Sequence, residues 1–574
     1  MKRHQLTGLL ALAVVALSAC APARTVAPAQ TGAGSAPASA EPGRTLVAAV
    51  RVEPDSVAAR PPRGGGLAAL NFSRRLLNAE LTLPDERGEP RPYLAEELPR
   101  LNTESWRVFP DGQMETTWRL RPGIVWHDGV PLVAEDFVFA WRVYSTPEYG
   151  GSGAPPFHAI REVTAPDDRT VLIRWHRPHP DADNLAGYDR DFVPLPRHLL
   201  ESSFQPSDPE SFANRPYWNR EYVGLGPYRL DRWEPGSFLQ VVAFDQHILG
   251  RPKINRIEVR FIADTNTVLA GMLAGDIHIA ADNAIYLEQA ATLRREWGDR
   301  GGSVILVPSL WRATAFQLRP EFANPRAVLD GRVRKALAFT VDKQSITDSV
   351  YHGVEPVSDF MISPSSKWGP AVEGAAAKYS YDARRGEELM RDAGFARAAD
   401  GLYASPGEGR FRAELKTTAS PNWEAEMTIM AAEWRKAGFD VQDAVLPQAQ
   451  AQDPELRMTF PAMFTSTTSL GERAMLLYSI AEIPRADNRW RGGNRGGWVN
   501  AEYDRTLDAF STTLEPAERA AQVAQLARIF TEEVPVIPLL FNSLPAAHVA
   551  AVRGPGPTAP EALLAWNVHE WEFR

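Results

Sequence analysis

The chain has 574 residues and a formal charge of −9 at pH 7, since 71 acidic residues outnumber 62 lysines and arginines. This balance argues against a protein that holds nucleic-acid phosphates, because such binding needs a clustered positive field. Hydrophobic residues make up 44% and charged residues 23%, which excludes disorder over most of the length. A chain of this length allows about three or four domains.

A leader-like segment ends at the sole cysteine, Cys20. Residues 1–20 start with three basic residues and continue with an apolar run that stops at Leu17. This run is shorter than the ~20 residues that span a bilayer, so it is typical of a secretory signal. The LSAC sequence at 17–20 resembles a bacterial lipobox, which implies a signal peptide over 1–19 and a lipidated Cys20 that anchors the mature chain to a membrane. The alternative is a plain secretory signal.

A low-complexity segment follows. Residues 21–43 are almost entirely Ala, Pro, Gly, Ser and Thr, with no aromatic side chain. Such a composition cannot bury enough surface to offset ordering entropy, so 20–43 is predicted to be a flexible tether that begins with the lipidated cysteine. A single cysteine also excludes an intrachain disulfide and cysteine-cluster zinc sites.

Strands and helices alternate along the rest of the chain. Apolar runs and apolar–polar alternation predict strands at 45–52, 116–125 and 257–262. Helical spacing and first-turn residues predict helices that begin near Ala134, Thr267, Asp330, Asp382, Asn422 and Pro516. The left-handed position that ends a helix is predicted at Gly275, Gly394 and Gly438, and the last helix must end before Pro535. This order favours a mixed α/β body in which one domain is assembled from distant segments.

Common catalytic motifs are missing from the sequence. It contains no Walker pattern, no G-x-S-x-G and no H-E-x-x-H. The GLGP sequence at 224–227 lacks the third glycine of a dinucleotide site and predicts a tight turn ahead of a strand. His176, His179 and Asp181 have a spacing that could hold a metal, but two prolines interrupt them, which favours a surface loop. The RGGNRGGW sequence at 491–498 fits either an anion cradle of backbone amides or a mobile loop at the edge of a pocket.

Several blocks in a fixed order carry a family resemblance. They are YLAEELP (93–99), TTWRLRPGIVWHDGVPLVAEDFVFAWR (116–142), GLGPYRL (224–230), RIEVRFIADTNTVLAGMLAGDIHIA (256–280), LDGRVRKALAFTVDKQSI (329–346), AGF (393–395) and 500–507. Together they resemble the extracellular solute-binding proteins of the peptide, dipeptide and nickel class (family 5), the receptors of ABC importers. The resemblance covers about residues 44–574.

The resemblance implies a receptor and no catalysis. The expected ligand is an oligopeptide or similar polar solute, and the expected partners are the membrane subunits of an ABC permease. We expect a monomer at the periplasmic or outer face of the cell, held by its lipid anchor, with no nucleic acid, cofactor or metal. Two other functions are considered: the same fold used as a chaperone or signalling module, and an exported hydrolase.

The fold implied by the resemblance is the α/β type II periplasmic-binding-protein fold, with two lobes and an extra inserted domain, hence three domains. Domain I would combine 44–76, 195–308 and 536–574. Domain II, the inserted domain, would be 77–194. Domain III, at 309–535, would close over the solute by a hinge motion.

The family places the ligand wall in four segments of this chain. The candidate residues are Asn71 and Phe72; Trp311, Arg312 and Thr314; Phe464, Thr465, Ser466, Thr467, Thr468 and Glu472; and Trp490, Arg491, Arg495 and Trp498.

One departure from the family concerns the peptide amine. Peptide-binding members carry an aspartate in a W-x-x-D or D-P segment, and its carboxylate pairs with the amino terminus of the peptide. The corresponding stretch here, 464–472, has no aspartate. Either Glu472 substitutes, or the solute is not an ordinary peptide and Arg312, Arg491 or Arg495 faces an anionic or polyhydroxy ligand.

Overall fold

A ten-stranded mixed sheet runs through the computed structural model, which describes residues 44–62, 71–149, 156–187, 191–298, 301–447, 449–560 and 562–574. The strands of all the described residues, in this sheet and in smaller ones, are β1 (Thr45–Val50), β2 (Thr82–Pro84), β3 (Pro90–Pro92), β4 (Trp106–Val108), β5 (Met114–Arg119), β6 (Ile160–Asp167), β7 (Thr170–Trp175), β8 (Tyr228–Glu234), β9 (Phe238–Ala243), β10 (Arg256–Phe261), β11 (Ile279–Ala280), β12 (Gly302–Phe316), β13 (Ala396–Arg397), β14 (Tyr403–Ser405), β15 (Gly409–Arg410), β16 (Arg412–Thr418), β17 (Asp440–Leu446), β18 (Met463–Thr468), β19 (Val536–Val549), β20 (Val552–Arg553) and β21 (Glu572–Phe573).

The helices of the described residues are α1 (Asn71–Leu77), α2 (Glu135–Tyr144), α3 (Arg197–Leu200), α4 (Pro209–Ala213), α5 (Thr265–Ala274), α6 (Leu287–Trp297), α7 (Gly331–Phe339), α8 (Lys343–Val350), α9 (Gly369–Glu373), α10 (Ala383–Asp392), α11 (Pro421–Lys436), α12 (Pro454–Met458), α13 (Glu472–Leu476), α14 (Ala501–Phe510) and α15 (Pro516–Glu533). They pack on both the ten-stranded sheet and a separate four-stranded sheet; α11 lies on β16 and β17, for example, and α2 lies on β6 and β7.

Two long antiparallel strands, β12 and β19, divide the sheet into halves. The strand order is β17-β16-β18-β12-β19-β11-β1-β10-β9-β8. The pairing of β12 with β19 slips at Ser309, between the pairs Pro308–Ser543 and Leu310–Asn542. We call this slip the crossing point. The first half-sheet (β8, β9, β10, β1 and β11) lies on one side of it and the second half-sheet (β16, β17 and β18) on the other.

The parallel strands of both halves end toward the crossing point. In the first half, β1 is parallel to β10 and β11, and β11 runs along β19 from His548 toward Ala547 and the middle of that strand. In the second half, β16 is parallel to β17 and β18, and Thr468 at the end of β18 pairs with Trp311, close to the slip. The carboxyl ends of two sets of parallel strands therefore converge there.

Many of the predicted boundaries are confirmed because they depend on local chemistry. Asp330 and Asp382 cap α7 and α10 with side chains that accept backbone N–H groups, and Gly275 and Gly394 are left-handed at the ends of α5 and α10. The strand predicted at 116–125 is wrong at its end, since β5 stops at Arg119.

The strand predicted after the GLGP sequence is confirmed, since β8 begins at Tyr228. The glycines are also required by close packing against the end of α1. A Cβ atom on Gly224 would lie 2.1 Å from the Leu77 carbonyl oxygen, and one on Gly226 would lie 2.4 Å from that of Leu76. Neither would fit.

Residues Arg44–Arg574 form one compact unit. Its hydrophobic core is divided into clusters that pack against one or the other half-sheet. One large cluster joins the first half-sheet to a separate four-stranded sheet, β4-β5-β7-β6, that lies within 77–194. Two further clusters cover the faces of the second half-sheet. The three-domain boundaries stay a prediction. The predicted signal peptide, Cys20 and tether lie outside the described residues.

Candidate functional site

The crossing point is the candidate ligand site on topological grounds. In open α/β sheets ligands bind in the crevice outside the carboxyl ends of the parallel strands. The loops that leave β1, β10 and β11 approach it from the first half, and those that leave β16, β17 and β18 approach it from the second.

Hydroxyl-bearing residues lie at the end of β18. Ser466, Thr467 and Thr468 are half-buried, whereas Thr465 is buried and bonded to Thr314, with 2.8 Å between the two hydroxyl oxygens. A cavity of about 10 Å³, room for about one water, opens beside them. It is lined by Ala313, Ala315, Ser466, Thr468, Tyr478, Gly493, Arg495 and Val536.

Arg495 brings a positive charge to this cavity. Its side chain is half-buried, and its hydrogen bond runs from Nη2 to the Thr467 carbonyl oxygen at 3.5 Å. Within the described ranges no carboxylate forms an ion pair with it. Burial, together with the neighbouring charges of Arg457 and Arg312, lowers the pKa of the Arg495 guanidinium to about 10. The group remains a cation at neutral pH without a counter-charge.

The other candidate arginines differ from Arg495. Arg312 is fully buried, pairs with Glu426 at 2.6 and 3.1 Å, and lies over the Trp423 ring at 4.9 Å. Its charge is therefore already neutralised. Arg491 is exposed.

Three candidate aromatic residues belong to the core. Trp311, Phe464 and Trp498 are buried in the cluster that covers one face of the second half-sheet. The Trp311 indole donates to the Ser358 hydroxyl at 2.8 Å, and the Trp498 indole donates to Glu533 at 2.7 Å. These side chains shape the floor beneath the site, and their polar atoms already have protein partners.

Glu472 lies in a group of four charges that we call the ionic bridge, formed by Asp181, Lys367, Glu472 and Arg519. Glu472 contacts Arg519 and Lys367, each at 3.4 Å, and accepts a 2.6 Å bond from the Trp368 indole. Asp181 contacts Arg519 at 3.5 Å and Lys367 at 3.9 Å. The carboxylate of Glu472 is thus balanced by cations of the protein itself.

Two of the three residues considered for a metal site, His179 and Asp181, contact other protein side chains. Asp181 pairs with cations across the chain, and His179 stacks on Trp175 with ring centroids 4.6 Å apart. Among the described residues no group of three or more His, Cys, Asp or Glu is arranged to hold a metal ion.

The loop at 490–498 is packed against protein. The N–H of Gly493 donates to Glu482, that of Asn494 to the Glu482 carbonyl, and that of Gly497 to the Asn494 carbonyl. The buried Asn494 side chain bonds three further carbonyls. These amides already have protein partners, and the Arg495 side chain lines the cavity. Trp490 is half-buried against Phe322.

Asp282 supplies a negative charge from the first half-sheet, and sequence analysis missed it. It follows β11, and its carboxylate accepts the backbone N–H of Phe72 at 3.0 Å. Burial raises the pKa of the Asp282 carboxyl to about 6. Asn71 is exposed and Phe72 is buried beside this contact.

The backbone at Asp282 is left-handed, with φ 47°, and at Asn283 φ is 64°. Asp and Asn tolerate this region better than other non-glycine residues, so the Asp-Asn pair after an apolar strand was the available signal. Strained non-glycine residues of this kind cluster at ligand clamps.

A buried carboxylate supports the crossing point itself. Glu355 accepts the backbone N–H of Ser543 at 2.9 Å and the side-chain amide of Asn542 at 3.2 Å. Burial raises the pKa of Glu355. An open groove of about 510 Å³ lies beside it. Glu355 therefore holds β19 at the position where the pairing slips.

Of the helices in the described part of the chain, none combines the length and the apolar character needed to cross a membrane.

Comparison with known proteins gives consistent matches. Residues 96–478 match the sequence profile of "Bacterial extracellular solute-binding proteins, family 5 Middle". The oligopeptide-binding protein AppA of Bacillus subtilis (strain 168) is 22% identical over 496 residues, covering 86% of this chain and 84% of AppA. Heme-binding protein A of Haemophilus influenzae is 24% identical over 469 residues, covering 76% and 78%. The periplasmic oligopeptide-binding protein of Thermotoga maritima has a TM-score of 0.74 at 18% identity, covering 93% of this chain and 100% of that chain.

Proposed function

Since the chain belongs to family 5 of the bacterial extracellular solute-binding proteins, we propose that it is the receptor of an ABC importer. It would capture an oligopeptide or similar polar solute at the crossing point and deliver it to a membrane permease. The family consists of solute-binding receptors and not of enzymes. The family resemblance and the type II periplasmic-binding-protein fold, both inferred from the sequence, are confirmed.

The observation that carries the proposal is the convergence of strand ends at β12 and β19. These two strands are shared by both half-sheets, so the halves can rotate about the crossing point while the pairing within each half is kept. A solute held between the halves would stabilise the closed arrangement by its differential affinity. Domain III, at 309–535, would be the moving body.

The cell-surface part of the proposal rests on the sequence before residue 44. A lipidated Cys20 and a tether would keep the receptor at the outer face of a membrane, within reach of the permease. Members of the family are extracellular or periplasmic, which agrees with this placement. We propose that the receptor acts as a monomer.

The test begins with the protein purified from its native host without added ligand. Mass spectrometry of small molecules released on denaturation should identify a co-purified solute. Titration of that compound should then raise the stability of the folded protein, by about 2.7 kcal/mol at a hundredfold excess over its dissociation constant. The radius of gyration from X-ray scattering should decrease on binding.

A matched control separates specific capture from surface adsorption. Arg495→Gln should weaken binding of the released compound, whereas Arg491→Gln, in the same loop but exposed, should leave it unchanged. A protein that releases no compound, binds no peptide from an unbiased tripeptide mixture and shows a constant radius would contradict the receptor function and favour an interaction module.

A further inference from the structure

A cluster of mostly buried basic side chains joins three distant segments of the chain. Arg75 lies in α1, His247 in a turn that follows β9, and His569 near the carboxyl terminus. The two imidazole rings pack edge to face with their centroids 5.8 Å apart. Tyr93 connects them to Arg75: its ring centroid is 4.8 Å from the guanidinium carbon and 5.7 Å from that of the His247 ring. We call these four side chains the basic cluster.

Arg75 brings a full positive charge into the basic cluster. The residue is 3% exposed, and a guanidinium keeps its proton in a protein. Its Nε donates to the Trp566 carbonyl oxygen at 3.1 Å, and its Nη1 donates to the Tyr93 hydroxyl at 3.0 Å. Glu80 is close enough to interact with this charge, but it pairs with Arg74 at 2.8 Å. Within the described residues the guanidinium therefore has neutral acceptors and no ion-pair partner.

Three nitrogen atoms of the basic cluster are buried without a hydrogen-bond partner among the described residues. They are Arg75 Nη2, His247 Nδ1 and His569 Nδ1. A buried polar atom of this kind costs free energy unless a partner satisfies it, so three of them in one cluster require an explanation.

The neighbours of His247 determine which of its nitrogens carries the proton. The Tyr93 hydroxyl accepts an N–H from Arg75, so its own hydrogen is available to His247 Nε2, 3.5 Å away. Nε2 is then the acceptor, and the proton of the neutral ring lies on Nδ1. Arg75 Nη2 and His247 Nδ1 are therefore both N–H donors, and His569 Nδ1 is a third in one of its two tautomers.

The basic cluster carries one positive charge at pH 7. Burial and the charge of Arg75 lower the pKa of His247 to about 2 and that of His569 to about 4, so both rings are neutral. Two other titratable groups face them. His127 lies near His247, and the exposed Glu570 carboxylate is 3.9 Å from His569 Nε2, on the opposite side of the ring system from the charge of Arg75 to be balanced.

The charge and the donors together select the kind of ligand. A metal cation would be repelled by Arg75, and no group of three or more metal-ligating side chains occurs among the described residues. A water molecule would accept the N–H groups but leave a buried charge uncompensated. A monovalent anion accepts the N–H groups and neutralises the charge, whereas a dianion would bring one negative charge too many.

We propose that Arg75, His247 and His569 bind a small monovalent anion of the chloride type. The anion links α1, the turn after β9 and the carboxyl-terminal segment, which are far apart in the sequence. Because the site exists only when these segments are assembled, the anion binds the folded protein and stabilises it. This inference does not depend on the receptor function or on the identity of the solute.

The first experiment measures unfolding of the full chain in urea, since guanidinium chloride would itself supply the ligand. Chloride replaces methanesulfonate at constant ionic strength. For one site, the ratio of folded to unfolded protein should rise about tenfold for each tenfold increase in chloride above its dissociation constant, and bromide should act in the same way. His247→Phe and His569→Phe should abolish this dependence. His548→Phe, at a half-buried imidazole outside the basic cluster, is the matched control and should keep it.

The second experiment locates the anion without any substitution. Crystals of wild type grown in bromide should give an anomalous scattering peak within hydrogen-bonding distance of Arg75 Nη2 and His247 Nδ1. This measurement and the wild-type chloride series decide the question even where a phenylalanine variant fails to fold.

Three results would overturn the inference. Equal stability of wild type in chloride and in methanesulfonate, with a water molecule at the site, would show that no anion is bound. A chloride dependence that both phenylalanine variants keep would place the anion elsewhere. A bromide peak without any effect of chloride on stability would show an adventitious ion only.

Discussion

We predict that the ionic bridge stabilises the closed arrangement of the ligand-free protein. Asp181 lies in the predicted inserted domain, whereas Lys367, Glu472 and Arg519 lie in the predicted closing lobe, so the bridge connects the two. Replacing Asp181 with Asn removes one of the two negative charges and leaves Arg519 and Lys367 facing Glu472 alone. The closed arrangement should lose stability relative to the open one, and the unliganded protein should become more expanded.

The magnitude follows from the geometry. A unit-charge pair at the 3.5 Å separation of Asp181 and Arg519 has a Coulomb energy of roughly 5 kcal/mol at an effective dielectric constant of about 20. Desolvation offsets much of this, because the Arg519 and Asp181 side chains are 7% and 15% exposed. A net effect of about 1–2 kcal/mol is expected, which is a factor of roughly 5–30 in the ratio of closed to open forms.

Small-angle scattering of the ligand-free protein measures this change as an increased radius of gyration. Raised salt should shift wild type in the same direction and Asp181→Asn less. Glu532→Gln is the matched control: it removes an exposed pair with Arg528 on the same helix as Arg519, and it should have no effect. If Asp181→Asn kept the wild-type radius at low and high salt, the bridge would not stabilise closure.

Three further predictions concern single residues. Glu426→Gln should lower the free energy of unfolding, measured by chemical denaturation, by about 3–5 kcal/mol, because it leaves the fully buried charge of Arg312 without its carboxylate partner. The control Glu388→Gln, at an exposed ion pair, should change the free energy of unfolding by less than about 1 kcal/mol. Burial raises the pKa of the Asp282 carboxyl from 3.8 to about 6, so ionisation of this group lowers the free energy of unfolding as pH rises through this window. Asp282→Asn should therefore be more stable than wild type by about 1–3 kcal/mol at pH 8, and this difference should vanish at pH 4 or below. Cys20→Ser should move the protein from the membrane to the soluble fraction without changing its melting temperature, and continued acylation of the variant would contradict the lipobox assignment.

The features that sequence analysis predicted well are those with local causes. A carboxylate such as Asp330 caps the helix that starts beside it, and Gly394 ends a helix because it tolerates a left-handed backbone. The family blocks added the order of the segments and brought Arg495 into the candidate site.

Features with distant causes could not be predicted in the same way. The burial of Arg312 depends on Glu426, which is 114 residues further along the chain. The position of Asp282 at the end of β11 depends on the place of that strand between β1 and β19, and β19 comes from the far end of the chain. Glu472 matched the expected position of a ligand carboxylate, yet its cationic partners come from other segments that no local pattern connects to it.

The central position of β19 has a consequence for biosynthesis. This strand lies between β12 and β11, yet its residues are made about 220 positions after β12 has ended. Until Val536–Val549 has left the ribosome, neither half-sheet can complete its hydrogen bonding, and the growing chain must close a very long loop before it can fold. The ten-stranded sheet can therefore be completed only when nearly all of the chain has been made, which makes its folding slow relative to that of a locally paired sheet such as β4-β5-β7-β6. The late position of β19 thus places the step that joins the two half-sheets at the very end of synthesis.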